Sequence, residues 1–261
     1  MEIIKSFNNS LVKQVIKLKK SGERKKENLI VIEGCKEICL AREGGIKIKK
    51  FFYSRELDGK KEKIFLEWEN IKTELSTDIF KKISYRENPD GFLILAEPKY
   101  LELEELKLNK NSLLIILDEV EKPGNLGAIL RTADAGGLDA VLISNSKTDI
   151  YNHNVIRASR GTVFTNQIAA AERKEIIKWL KDKGVKIFVS TPDADKKYSD
   201  IDFSSSSAII MGSEDKGASE EWIKAADETM QIPMRGKIDS LNVSVSAGII
   251  IFEALRQREG G

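Results

Sequence analysis

The chain has few of the residues that build metal sites, disulfide frameworks or membrane spans. It contains two cysteines, Cys35 and Cys39, and a single histidine, His153. The cysteines stand four residues apart in a segment of helical pattern with no second pair nearby, so we expect reduced thiols and no zinc site. The longest apolar stretch near the C-terminus, AGIIIF, is far shorter than the roughly 20 residues of a spanning helix, and no signal-peptide core is present. These absences predict a soluble, cytoplasmic protein with no bound metal and no membrane partner.

Charge is plentiful but unevenly distributed. The formal net charge is only +2, yet residues 1–110 hold 24 Lys and Arg against 19 Asp and Glu, whereas residues 111–261 hold 19 against 22. Residues 1–26 alone carry eight basic and two acidic side chains. Such a cluster favours contact with phosphates, although a solvated helix face is the simpler explanation of a charge run.

The N-terminal part of the chain predicts a small α/β domain over residues 1–98. Residues 10–20 place apolar side chains on one face of a basic amphipathic helix. Beyond it, short apolar runs alternate with helical segments near 59–69 and 77–83, and the charged stretch 99–111 is the best linker candidate. The expected strands lie at 28–34, 47–54, 71–75 and 91–97.

The remaining residues, 112–261, predict a second α/β domain with a parallel, doubly wound sheet. It opens with LLIILDEV at 113–120, an unbroken apolar run typical of a buried parallel strand. A long helix is expected to close the chain from Asn242 to about Arg258. Further strands are expected at 140–144, 185–191, 207–213 and 228–234, with helices at 126–135, 152–160, 172–183 and 219–226.

Three short segments of this second half interrupt apolar runs with Gly, Asn, Ser or a lone charge. In the first, EKPGNLGAILRTADA (121–135), Asn125 stands where a helix N-cap is expected. Arg131 lies inside the following helix among apolar and small residues, where its fixed charge requires a phosphate, a carboxylate or a structural salt bridge.

The second and third segments also follow predicted strands. In IIMGSEDKGAS (209–219), Gly212 permits close approach of a ligand and Glu214 stands at the carboxyl edge of the sheet, where open α/β folds bind ligands. In QIPMRGKIDSLNVSVSAG (231–248), Ser240 and Asn242 precede the last helix, and plain helix capping would explain them equally well. A strand end with free backbone groups and apolar side chains suits an adenine ring.

Taken together, the order, spacing and composition of the three segments resemble the motifs of the SpoU (TrmH) family of RNA 2'-O-ribose methyltransferases. The resemblance covers most of residues 113–258. It implies a deep trefoil knot in the C-terminal domain, a pocket for S-adenosyl-L-methionine in that knot, and a homodimer formed through the catalytic domain.

The resemblance also assigns roles to particular residues. It implies catalytic roles for Asn125 and Arg131 of the first motif, Glu214 of the second, and Ser240 and Asn242 of the third. The residues it implies for cofactor binding are Thr191, Gly212, Ile232, Met234, Leu241 and Asn242.

The N-terminal domain with its basic helix is similar to the L30e-like substrate-binding domain of family members that modify ribosomal RNA. We therefore expect methylation of 23S rRNA, with RNA bound through this domain and through Arg131. A guanidinium keeps its proton far above neutral pH, so we favour a positioning and charge-stabilising role for Arg131 over that of a base.

Three alternatives remain open at the level of sequence. The enzyme could act on tRNA, or the fold could serve a non-catalytic RNA-binding or ribosome-assembly protein. A dinucleotide-dependent enzyme on an ordinary doubly wound sheet is disfavoured, because PGNLGA after the first strand is not the required G-x-G-x-x-G pattern.

Overall fold

The computed structural model describes residues 3–57, 62–145 and 148–259. The chain divides into two compact units, and the division is not a simple cut along the sequence. The first unit comprises residues 1–99 together with 151–165, and the second comprises 100–150 and 166–261.

The elements alternate between strand and helix, as the sequence pattern predicts. The strands are β1 Ile30–Glu33, β2 Ile48–Tyr53, β3 Lys72–Glu74, β4 Phe92–Ala96, β5 Leu113–Asp118, β6 Ala140–Ser144, β7 Ile168–Ala171, β8 Lys186–Ser190, β9 Ser207–Met211 and β10 Glu228–Met230. The α-helices are α1 Ser10–Lys17, α2 Ser21–Glu27, α3 Cys35–Glu43, α4 Thr77–Ile83, α5 Pro123–Ala135, α6 His153–Ala158, α7 Arg173–Asp182, α8 Glu220–Ala225 and α9 Val243–Glu259. The 3₁₀-helices are Glu62–Ile71, Leu103–Glu105, Thr162–Phe164 and Tyr198–Asp200.

The first unit is the expected small α/β domain. Its four-stranded sheet has the order β1-β4-β2-β3, with β4 antiparallel to both neighbours and β3 parallel to β2. The basic helix α1 buries Val12 and Val15 against this sheet's core and keeps its lysines outward, which is the amphipathic arrangement that the sequence predicts. The predicted segment near 59–69 begins outside the described residues and continues as the 3₁₀-helix Glu62–Ile71.

The second unit carries the parallel, doubly wound sheet. Its six strands have the order β10-β8-β9-β5-β6-β7, and every pairing is parallel. All six residues of β5 are buried, as expected for a central strand covered on both faces. Helices α7 and α8 supply Trp179 and Trp222 to the core on one face, and α9 contacts α5 and β9.

Three details differ from the sequence predictions. Strand β7 was not predicted, because only Ile168 in its sequence Ile-Ala-Ala-Ala is β-branched and alanine is depleted in strands. The predicted strand 228–234 ends at Met230: Gln231 forms only an isolated bridge with Lys197, and Pro233 beyond it has no N–H to donate to a ladder. Asn125 is not the N-cap of its helix: Lys122 holds that position and Pro123 begins α5, since proline tolerates the first helical turn.

Two further segments differ from the predicted domain boundaries, namely residues 99–111 and 151–165. The segment predicted as a linker contributes Leu103 and Leu106 to the buried core of the second unit. Residues 151–165, predicted as part of the C-terminal domain, cluster with the first unit. Within the described ranges, no helix combines the length and apolar character needed to cross a bilayer.

Candidate functional site

The predicted cofactor-binding residues lie where adjacent parallel strands end. Thr191 follows β8 directly, and its backbone N–H donates to the carbonyl of Met230 on β10 at 2.9 Å. Gly212 follows β9, the neighbour of β8 on the other side. Parallel strands share one carboxyl edge, so these residues meet at the edge where open α/β sheets bind ligands. Ile232, Met234 and Leu241, beyond β10, are partly exposed apolar side chains.

A polar cluster joins one residue from each of the three motifs. The Asn125 side-chain amide donates to a carboxylate oxygen of Glu214, and the amide of Asn242 donates to Oδ1 of Asn125 at 3.1 Å. Asn242 Oδ1 also accepts from the backbone N–H of Ser244 at 3.0 Å, which caps α9 as the sequence predicts. The amide of Asn125 is therefore fixed on both sides, and the three motifs meet in one place.

Glu214 is presented by a tight turn that depends on Gly212. Ser213 and Gly217 exchange backbone hydrogen bonds of 3.1 and 3.0 Å, and Glu214 lies within this turn. A Cβ on Gly212 would lie 2.0 Å from both Ala218 N and Gly217 C, so no other residue fits without moving backbone. The glycine lets the turn fold back onto the strand end.

Arg131 and Ser240 lie outside this cluster. Arg131 is exposed, and its side chain makes no hydrogen bond or ion pair with any residue that the structure describes. It follows Asn125 by six positions, which corresponds to about 9 Å along the helix axis on a different face. Ser240 is also exposed, and its hydroxyl makes no hydrogen bond within the described part of the chain. The structural salt bridge that could have explained Arg131 is therefore not found among these residues.

Sequence reasoning missed an ionic network that supports the same edge. Asp118 ends β5 with 2% exposure and accepts from the Arg173 guanidinium at 3.0 Å, from Ser144 Oγ at 3.1 Å and from the Ser219 backbone N–H at 3.1 Å. Burial alone would lower the pKa of Arg173, but its hydrogen bonds to Glu221, Asp118 and Glu119 raise it. The network ties the end of β5 to the starts of α7 and α8. The only sequence signal was an acidic pair at a strand end.

No metal is indicated within the described ranges. No group of three or more His, Cys, Asp or Glu side chains there is arranged to hold a metal ion. The polar cluster presents carboxylate, amide and backbone groups. They suit hydrogen bonding to hydroxyl and amino groups of a ligand.

Comparison with known proteins identifies the family. Residues 112–252 match the model of the SpoU rRNA Methylase family, and residues 9–94 match the MRM3-like substrate binding domain. The chain is 30% identical to the 23S rRNA (guanosine(2553)-2'-O)-methyltransferase RlmP of Bacillus subtilis, over 97% of this chain and 98% of that protein. The chain belongs to the SpoU rRNA methylase family.

Solved structures agree across both units. An RNA 2'-O ribose methyltransferase has 35% identity and a TM-score of 0.84, covering 97% of this chain and 98% of the other. An AdoMet-bound rRNA methyltransferase from Sinorhizobium meliloti has 29% identity and a TM-score of 0.89, covering 98% and 97%. A TrmH/SpoU tRNA modifying enzyme from A. aeolicus, with 28% identity and a TM-score of 0.52, covers only 60% of this chain and 83% of its own.

Proposed function

We propose that this protein transfers a methyl group from S-adenosyl-L-methionine to a ribose 2'-hydroxyl of 23S rRNA. The proposal rests on the cluster of Asn125, Glu214 and Asn242. This cluster joins the three motifs beside the carboxyl ends of β8, β9 and β10. When bound, S-adenosyl-L-methionine supplies an electrophilic methyl group on a sulfonium. Asn125 and Glu214 would orient the ribose 2'-hydroxyl toward the methyl group that this cofactor would supply, and the hydroxyl proton would leave to solvent.

The residues at the strand ends fit such a cofactor. Gly212 keeps side-chain atoms away from the end of β9, while Ile232, Met234 and Leu241 offer partly exposed apolar surface for an adenine ring. Thr191 borders the same place from β8. We assign cofactor binding to these residues and to Asn242, and contact with the reacting ribose to Asn125, Glu214 and Ser240.

Arg131 serves the RNA in this proposal. Its exposed guanidinium has no partner among the described side chains and is available to a backbone phosphate. A bound phosphate would hold the ribose near the cofactor, because fixing the orientation of two reactants removes much of the entropic barrier. The arginine thus positions the substrate and stabilises charge without removing the proton.

Ribosomal RNA is favoured over tRNA by the extent of the similarity. The rRNA methyltransferases match along both units of this chain, whereas the tRNA modifying enzyme covers 60% of it. We accordingly assign residues 1–98 to RNA substrate binding, 99–111 to the connection and 112–261 to catalysis. With this function we propose that the protein acts in the cytoplasm as a homodimer and that its C-terminal domain contains a trefoil knot.

The test is direct. Purified protein is incubated with labelled S-adenosyl-L-methionine and either protein-free 23S rRNA or total tRNA, and the labelled nucleotide is mapped. We expect 2'-O-methylation of one or few riboses in 23S rRNA and none in tRNA. Label in tRNA alone would support the alternative that the enzyme methylates tRNA. If the protein does not bind S-adenosyl-L-methionine, the alternative of a non-catalytic RNA-binding protein is supported.

A further inference from the structure

A second cleft lies in the first unit, among residues that the three motifs do not include. It has a volume of about 590 Å³ and is lined by Tyr85, Arg86 and Asn88 after α4 and by Arg157 and Arg160 at the end of α6. A cleft of this size accommodates more than a single small ion. A smaller cavity of about 50 Å³ shares Tyr85, Arg86 and Arg157 and is also lined by His153.

Two of these arginines face the cleft with no partner. Arg157 and Arg160 are exposed, and neither side chain forms a hydrogen bond or ion pair with any residue in the described ranges. Their positions are set by a tight helix end: Arg160 N–H donates to Arg157 O at 3.1 Å and Gly161 N–H donates to Ile156 O at 3.0 Å. Arg160 takes the left-handed conformation, with φ of 54°, at a position that favours glycine.

The acidic residues of the cleft do not cancel this charge. Glu37 is buried and pairs with the Arg86 guanidinium at 2.8 Å, so this acid and this arginine neutralise each other. Glu87 is the remaining carboxylate of the lining, against two unpaired guanidiniums. The cleft therefore carries a net positive charge suited to phosphates.

Several contacts hold the wall beside the arginines in place. The Tyr85 and His153 rings stack with centroids 4.1 Å apart and planes 7° apart, and Lys19 Nζ lies 4.8 Å from the centre of the Tyr85 ring. The buried carboxylate of Glu33 accepts a hydrogen bond from the Tyr85 backbone N–H at 2.7 Å, which fixes the backbone of Tyr85. A site with preset geometry loses little entropy when it binds.

We propose that this cleft is a second RNA-binding site. In it, Arg157 and Arg160, which belong to none of the three motifs, hold backbone phosphates of the substrate. The inference rests on the proposed function, since it takes the ligand to be the RNA that the enzyme methylates. Guanidiniums bind phosphate oxygens through paired hydrogen bonds, which a single lysine cannot match.

His153 lines the smaller cavity, which shares Tyr85, Arg86 and Arg157 with the cleft, so its titration is expected to respond when phosphates occupy the cleft. Burial lowers the pKa of His153, and the charges of Arg24, Lys19 and Arg157 lower it further. The other charged or titratable groups near its ring are Tyr85, Arg86 and Glu33. Phosphates bound beside the ring favour imidazolium, so RNA raises the pKa of His153, and by linkage RNA binds more tightly as pH falls through that value.

The first measurement is the affinity of the full-length protein for protein-free 23S rRNA over a range of KCl concentrations. Arg157→Gln and Arg160→Gln should each weaken binding about tenfold, as expected for one charge-assisted contact. Each should also reduce the slope of log affinity against log salt by about 0.7 to 0.9. Arg42→Gln is the matched control: it removes the same charge from the same unit, but its guanidinium already pairs with Glu67 at 2.8 Å.

Arg160→Gly separates a binding role from a structural one. Glycine relieves the left-handed backbone, so this variant should melt at or above the temperature of the unaltered protein and still lose RNA affinity. Unchanged RNA affinity and salt slope in all three cleft variants would overturn the proposal. Inorganic phosphate that competes as well as RNA would reduce the cleft to a general anion site and would also overturn it.

The second measurement uses the fact that His153 is the sole histidine of the chain. Its imidazole is titrated by NMR with and without RNA, and the pKa should rise when RNA is bound; no change would contradict the proposal. Failure here is distinguishable from failure of the proposed function. If the protein methylates 23S rRNA while the cleft variants keep its RNA KM, only the second site is wrong, whereas absence of methylation by the unaltered protein contradicts the proposed function itself.

Discussion

At the scale of single residues, substitution of Arg131 tests whether the site is catalytic. We expect Arg131→Ala to reduce methyl transfer by about a hundredfold or more, because charge stabilisation in a preorganised site typically contributes that much. The affinity for S-adenosyl-L-methionine, measured by calorimetry, should not change, since Arg131 lies outside the cluster at the strand ends.

Arg256→Ala is the comparison for Arg131. Arg256 is also an exposed arginine of the second unit, but its guanidinium binds Glu253 at 2.8 Å. This variant should retain its methylation rate. Full activity in Arg131→Ala would contradict the role given to that residue.

Gly212 is the residue whose replacement should be least tolerated. A Cβ there would overlap the backbone of Gly217 and Ala218, so Gly212→Ala must displace the turn that carries Glu214. We expect about a hundredfold loss of kcat/KM, because displacement of reacting groups by about 1 Å has that effect, and a loss of about 1 to 3 kcal/mol in the free energy of unfolding.

A glycine with free space around it provides the control for this prediction. Gly22 in α2 has no atom within 4 Å of its would-be Cβ, and Gly22→Ala should leave activity intact and slightly raise the melting temperature. Steady-state kinetics and thermal unfolding measure both variants. Normal activity in Gly212→Ala would show that the turn is not needed in its observed form.

At the scale of elements, the surface of α9 is divided between packing within the chain and the partner contact that we propose. Ala247 is buried, and a Cβ built on Gly248 would lie 3.9 Å from the Thr132 side chain of α5, so part of the small-residue face is used within the chain. Val245 and Phe252, seven positions apart and hence on one face, remain 50% and 52% exposed. This exposed apolar pair is the surface on which we base the proposed homodimer.

The double variant Val245→Lys, Phe252→Lys should convert a dimer to a monomer, because charges in an apolar interface core lose their hydration. Sedimentation velocity measures the change. Ile223→Lys, at a 38% exposed apolar residue of α8, should leave the assembly unchanged. If the unaltered protein sediments as a monomer at all concentrations, the proposed homodimer is wrong.

At the scale of the whole molecule, the parallel sheet could be predicted from the sequence, because its buried strands are unbroken apolar runs such as Leu113–Asp118. Strand β7 could not, since alanine has no preference for strands and its partners lie elsewhere in the sequence. The same limit applies to the grouping of residues 151–165 with the first unit, which depends on contacts between distant segments.

The candidate site was predictable in part. The resemblance identified Asn125, Glu214 and Asn242, and the structure places these three in hydrogen-bonding contact. Local pattern alone gave Asn125 the wrong role as a helix cap, because proline two positions earlier starts the helix sooner. The cleft at Arg157 and Arg160 carries no local signal, since Tyr85 and His153 are far apart in sequence and meet only after folding.

The hydrogen bond between Asn242 and Asn125 joins residues 117 positions apart, and Asn242 follows every strand of its sheet. A nascent polypeptide on the ribosome therefore acquires all of its strands before it can close this contact. A chain released before Asn242 is synthesised lacks this contact, so the candidate site is completed by a segment that is made after every strand of the sheet.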